Sequence, residues 1–337
     1  MKRFAVAAAN ALTTIAGTIL GLLLVTFFIG RIMPIDPALA IAGDHASASA
    51  VAAIREQLGL DQPLAWQFMS YLGKIGRGDF GSSVMTSRPV LEDLARFFPA
   101  TFELATTALL IATAIAVPAG IWAALQQRST WDRAFRAVCL IGQSFPAFFL
   151  GMLFLLFFYV RLGIAPGSGR SGVMFDGVVE PVTGLLMVDT LLERNWAAFL
   201  DSAAHIALPA SLLAFMALSV LAPMIRAFIL ETLSTEYMTA ALAKGLSPVQ
   251  AVTRHGLPNV AGKLIAMIVI AYANLLEGAL VTETLFSWPG IGKYLTTSLL
   301  NADMNAVLGT TLVIGLFYLA LNRAADVCGA LVDPRLR

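Results

Sequence analysis

Three carboxylates, Glu103, Glu277 and Glu283, fall inside apolar stretches of the sequence. An ionised carboxylate at membrane depth costs at least about 2.5 kcal/mol, so such a group is either paired within the protein or put to use. In use, it would attract a cationic group or carry a proton. Glu103 lies near an expected helix start and Glu283 near an expected helix end, where an internal pair, a hydrogen bond or an interfacial position accounts for each. Glu277, bracketed by Leu276 and Leu280, lies deeper, and with Glu283 it is a candidate to line a translocation path. His45, His205 and His255 are scattered and make no metal-ligand spacing. Cys139 and Cys328 both fall in apolar stretches, which points to core residues and argues against a disulfide or a zinc site. No Gly-x4-Gly-Lys-Ser/Thr run occurs, so the chain lacks the usual phosphate cradle, and energy for any work must come from another subunit.

The elements that must position these residues are membrane helices. Of the 337 residues, 58% are hydrophobic and 13% charged, with a mean hydropathy of +0.80. An average soluble domain has about a quarter charged residues. The net charge of +1 gives no clustered basic face for a nucleic acid. The apolar run Phe4 to Ile29 exceeds a signal-peptide core of about 7–15 residues and reaches the roughly 20 needed to span a bilayer, which makes 1–31 a first transmembrane helix. Further spans are expected at about 100–125, 135–160, 203–225, 263–286 and 304–325, giving an all-α polytopic protein with six transmembrane helices. The density of Lys and Arg at the amino terminus, at 126–136, at 226–263 and in the 327–337 tail places both termini in the cytoplasm. Residues 32–98 then form an external loop region with short helices at 46–58 and 62–76, broken by Gly59 and Pro63. A second external segment, 161–202, is Gly-rich with one surface helix near 183–194. Phe145 and Pro146 read as a helix kink, and Trp288, Pro289, Gly290 and Gly292 as an external turn.

Residues 226–262, within the 99–326 core, are patterned too regularly for a simple connection. A helix continues from the membrane through 226–244. Gly245 follows where a helix end favours a left-handed residue. Ser247, Pro248, Val249 and Gln250 then read as N-cap, N1, N2 and N3 of a second short helix with a capping box, stopping near Gly256 and Pro258. Within this segment Ala240, Ala241, Gly245, Leu257 and Pro258 match, in register, the Glu-Ala-Ala…Gly…Leu-Pro signature of ABC importer permeases, with Thr239 in place of the acid and His255 in place of Ile. "LGLDQP" at 58–63, "GRGDFGSS" at 76–83, "RPV" at 88–90, "FPATFELA" at 98–105, "FSWPGIGKYL" at 286–295 and "DPRLR" at 333–337 extend the match. "MPIDPA" at 33–38 differs from the family pattern by Ile35 in place of Gly. Together they resemble the B-type subunit of the dipeptide/oligopeptide (and nickel) permease family.

That resemblance implies a type I ABC importer permease fold whose cytoplasmic coupling helix engages an ATPase through Glu236, Ala240, Ala241, Lys244, Gly245, Ser247, Pro248, His255, Leu257 and Pro258. It also implies a homologous C-type permease, two ABC ATPase subunits and an external solute-binding protein as partners in the inner membrane. ATP and Mg would sit on the ATPases, with no cofactor on this chain, which would perform no covalent chemistry. The rival class is an ion- or proton-coupled secondary transporter in which Glu277 and Glu283 titrate. The absence of an internal repeat and the ordered cytoplasmic turn weigh against it. A membrane scaffold is a third.

Overall fold

The computed structural model describes residues 2–32, 37–42 and 46–332. His45, Ile35 and the terminal "DPRLR" lie outside the described residues, as does the side chain of Cys328. The regular structure of the described residues is all helical, and the isolated bridge of Ser82 with Pro89 belongs to no strand. It divides into two compact units. One comprises the chain up to Phe98 together with Lys293–Ala320, the other Pro99–Gly292 with the chain from Leu321 onward.

In the first unit, α1 (Lys2–Ile32), α2 (Pro37–Ala42), α3 (Ala48–Leu58) and α4 (Leu64–Ile75) follow one another. Gly59 takes φ +65° and closes α3, its own N–H reaching Glu56 O and that of Leu60 reaching Arg55 O. α4 folds back on α1, where Phe27 packs against the rings of Phe68 and Tyr71 and Thr26 Oγ1 lies 3.2 Å from the Tyr71 hydroxyl. The "GRGDFGSS" stretch makes two left-handed turns at Gly78 and Gly81. There the Ser83 hydroxyl and the Met85 N–H donate to Asp303, at 2.5 and 3.2 Å, and Asn305 Nδ2 donates to Ser82 O. α13 (Ile291–Leu300) adds Tyr294, whose hydroxyl donates to Asp93 at 3.0 Å; burial, together with that carboxylate, pushes its pKa well above the ordinary tyrosine value.

In the second unit, α6 (Thr130–Ser144) and α7 (Ala147–Phe154), with a π-helical turn over Leu155–Arg161, meet at a bend of 110°. Phe145 is extended at φ −95° and ψ 138°, because Pro146 excludes the helical region for its predecessor. α9 (Trp196–Leu233) packs against α6, the short α8 (Leu186–Leu192) and α12 (Leu257–Leu285), with Pro209 and Pro223 accommodated inside it. Gly142 lets α6 approach α9 closely, since a Cβ there would collide with Ser219. The start of α6 is fixed by Ser129, which caps the Asp132 N–H, and by Asp132 itself, 1% exposed and held by Arg226 through bonds of 2.7 and 2.9 Å.

Four helices are long and apolar enough to cross a membrane: α5 (Val90–Leu125), α9, the run Pro248–Leu285 that includes α12, and Met304–Ala325 of α14 (Met304–Val332). The bent pair makes a fifth when taken as one span. The expected first span, α1, is one continuous helix from Lys2 to Ile32 that contains the apolar stretch Thr13–Ile29. The fold is thus all-α and multi-span, with four to five spans counted among the described residues against the six expected.

Candidate functional site

The segment between α9 and α12 forms a compact double bend. α9 does not run on to residue 244 as the sequence suggested; it stops at Leu233, and α10 (Glu236–Ala243) begins after Ser234 and Thr235. Both hydroxyls bond back to carbonyls three residues earlier, Ser234 Oγ to Glu231 O at 2.7 Å and Thr235 Oγ1 to Thr232 O at 2.6 Å. Such local bonds compete with helix continuation. α10 ends in paired closing bonds, Gly245 N–H to Leu242 O and Leu246 N–H to Ala241 O, with Gly245 at φ +89°. Ser247 then caps the Gln250 N–H at 3.3 Å while Gln250 Oε1 accepts from the Ser247 N–H at 3.0 Å, a complete capping box with Pro248 at N1.

The second helix does not terminate at Gly256 and Pro258. α11 (Pro248–Ala251) passes through a π-helical turn, Val252–Gly256, directly into α12. Widening the bonding pattern to five residues just ahead of Pro258 absorbs the N–H that proline lacks. Gly256 is a packing residue: it is buried, and a Cβ there would lie 3.3 Å from Thr232 Cγ2 of α9.

The bend has two faces. Met238, Ala241, Ala251, Val252 and Gly256 are buried inside it. Glu236, Ala240, Lys244, Gly245, Ser247, Pro248, His255 and Pro258 are exposed, and Leu257 is half-buried. Of the ten residues expected to engage an ATPase, only Ala241 therefore belongs to the inner face. Exposed Tyr237, Leu242 and Val249 add an apolar component to the outer face, beside Lys244 and Arg254. Sequence reasoning missed Met238, Val252 and Thr232, which hold the bend to α9, and the Asp132–Arg226 pair; the Ser129-x-x-Asp132 spacing signals the cap at Asp132 but not its partner. Removing the cap with Ser247→Ala should cost about 1 kcal/mol locally. We expect a several-fold reduction in transport at unchanged protein level, read as initial uptake rate in vesicles.

The three carboxylates separate sharply. Glu103, 7% exposed, pairs with Arg170 Nη2 at 2.5 Å and Nε at 3.1 Å, and accepts from the Met187 N–H at 2.7 Å. Arg170 also donates to Gly184 O at 2.8 Å and lies 5.8 Å from the centre of the Trp288 ring. Glu283 is 0% exposed and accepts from the Thr101 hydroxyl at 2.5 Å and the Gly292 N–H at 2.7 Å. No part of it reaches the chain's surface, and these internal hydrogen bonds account for the carboxylate. Glu277 is exposed on α12. His205 bonds through Nδ1 to Asp201 O within α9, and exposed His255 accepts at its carbonyl from Asn259 Nδ2.

Two family models match the chain. "Binding-protein-dependent transport system inner membrane component" covers residues 116–337, and the corresponding amino-terminal component covers residues 1–105. The chain is similar to the probable D,D-dipeptide transport system permease protein DdpB of Escherichia coli K12, 42% identical over 94% of this chain and 93% of that protein. It is similar also to the di/tripeptide transport system permease protein DppB of Pseudomonas aeruginosa UCBPP-PA14, 37% identical over 95% of each chain. Among solved structures, an inward-facing form of the MetNI methionine ABC transporter matches with a TM-score of 0.57 and 18% identity, covering 74% of this chain and all of that one.

Proposed function

The chain belongs to the family of binding-protein-dependent transport system inner membrane components, and from that premise we propose that it is the half of a peptide-import path whose α9–α12 bend receives force from an ATPase. It is a permease subunit of an ABC importer. The observation that carries the coupling role is the outer face of the bend. It presents exposed Tyr237, Leu242 and Val249 beside Lys244 and Arg254 on two short helices joined by a left-handed glycine. Exposed apolar side chains rimmed by polar ones suit a docking surface. The inner face, packed on Thr232 of α9, supplies a mechanical route from that surface into two membrane helices.

In this reading the coupling segment is 226–262 and faces the cytoplasm, as do both termini, while 32–98 and 161–202 are external. Residues 99–326 form the permease core and 327–337 the tail. A homologous second permease completes the path, two ATPases hold ATP and Mg, and a soluble binding protein delivers the solute. Peptides are the proposed solute class, on the strength of the dipeptide and di/tripeptide relatives.

The test is twofold. A cysteine placed at Ser247 in an otherwise cysteine-free chain should be labelled by an impermeant maleimide only after cells are opened. Labelling in intact cells would reverse the orientation. ATP-dependent peptide uptake in vesicles should require the second permease; uptake by this chain with an ATPase alone would defeat the paired path, unless the chain were shown to pair with itself.

A further inference from the structure

We propose that α9 and α12 form a resting site for the ammonium and apolar side chains of a passing solute, with Glu277 at its rim; this rests on the reading of the chain as a peptide permease. A cavity of about 260 Å³ lies between the two helices, lined by Leu213, Met216, Met224, Met267, Asn274 and Gly278 among others, and Glu277 is the chain neighbour of Gly278. That volume lies just below the range of about 300–1,000 Å³ usual for small-molecule sites. The groove is open, because Met224, Ile270 and Asn274 on its walls are exposed. Ile270, Asn274, Glu277 and Val281 recur at three- and four-residue spacing, so they share one face of α12. All four are exposed.

Three observations select the occupant. First, this face cannot rest against lipid chains, since it carries a carboxylate about 12 Å in from the Leu285 end of α12, at 1.5 Å of rise per residue. The other acid of α12, Glu283, is enclosed, so Glu277 alone offers a negative charge here. Second, three methionines among the lining residues give walls that re-pack around different shapes, which suits a solute whose side chains vary. Third, Asn274 can both donate to and accept from an amide group. Variable apolar side chains, an amide and a side-chain ammonium are the parts of a short lysine-bearing peptide. The geometry therefore fits a selectivity element for lysine-bearing peptides, in addition to any choice made before the solute reaches the membrane.

The experiment uses the complete reconstituted importer and two probe peptides at saturating concentration, Ala-Lys-Ala and Ala-Leu-Ala. Saturation removes selection at the delivery step from the comparison. In the native importer the lysine peptide should move faster relative to the leucine one than it does in Glu277→Gln. The ratio should shift roughly fivefold, the upper end for one water-exposed charge pair, and Glu277→Asp should restore much of it. An unchanged ratio in Glu277→Gln, at normal protein level and ATPase rate, overturns the site. Loss of the co-purifying second permease in Glu277→Gln also overturns it, by making the carboxylate a subunit contact. If the native importer moves neither peptide, the underlying peptide-permease reading fails instead.

Discussion

Gly245→Val should reduce ATP-driven uptake by about tenfold or more while leaving membrane insertion and pairing with the second permease intact. The expectation follows from the backbone. Gly245 sits at φ +89°, a conformation that β-branched residues almost never adopt, and holding one there costs about 1–3 kcal/mol. A 1.4 kcal/mol change is already a factor of ten in an equilibrium. No atom lies within 4 Å of where a Cβ would stand, so the penalty arises from dihedral strain and not from collision. The membrane helices thus have no reason to shift. Relief of the strain falls on α11, whose start is secured by the Ser247–Gln250 capping box and whose next turn is π-helical. Rotating that element displaces Val249 and Arg254 from the outer face. Gly245→Asn should be much milder, because asparagine tolerates left-handed backbone. Uptake and ATPase rates in reconstituted vesicles, beside co-purification of the ATPase, check the pair. Equal uptake by the valine and native proteins would remove the turn from the coupling route.

The contrast between Gly245 and Gly256 shows what could be read in advance. Gly59, Gly245, the Ser247-Pro248-Gln250 box and the Phe145–Pro146 bend all act within a few residues, and each appears as local chemistry implies. The same local logic makes Gly256 a terminator, yet it serves a contact with Thr232, 24 positions away, that no local rule reveals. The break at Ser234–Thr235 carries no Gly or Pro to signal it. Helix starts were placed late: α5 begins at Val90 and α9 at Trp196, ahead of the apolar windows near 100 and 203. In α5 the first turn carries Glu92 and Asp93, which lower its hydropathy but favour a helix amino terminus. The carboxylates mark the same boundary. That each needed a partner or a use was legible from membrane depth; that Glu103 would find Arg170 in a glycine-rich loop, and Glu283 would find Thr101, required the fold.

Glu283 supports the second large expected effect, in which Gly290→Ala destabilises the whole protein. A Cβ on Gly290 would overlap the Glu283 carboxyl group, and one on Gly292 would lie 2.6 Å from the Leu280 Cα. The carboxylate cannot easily step aside, since it accepts from Thr101 and from the Gly292 N–H. Thr101 Oγ1 in turn accepts from the Ile291 N–H at 2.9 Å, and Trp288, 1% exposed, donates its indole N–H to Ala100 O at 2.9 Å. The 286–292 turn is thereby fastened to α5 by polar bonds that have no water to replace them. Overpacking costs about 1–3 kcal/mol and each buried polar group left unsatisfied about 1–3 kcal/mol more. Gly290→Ala should therefore lower the thermal midpoint of the detergent-purified protein and its yield in the membrane, whereas Gly73→Ala, in open space inside α4, should lower neither. Glu283→Gln replaces one acceptor by a donor facing donors, so it should melt early as well. A Glu283→Gln protein that melts like the native one but transports poorly would return this residue to the path, and native melting by Gly290→Ala would show that the turn does not depend on the carboxylate.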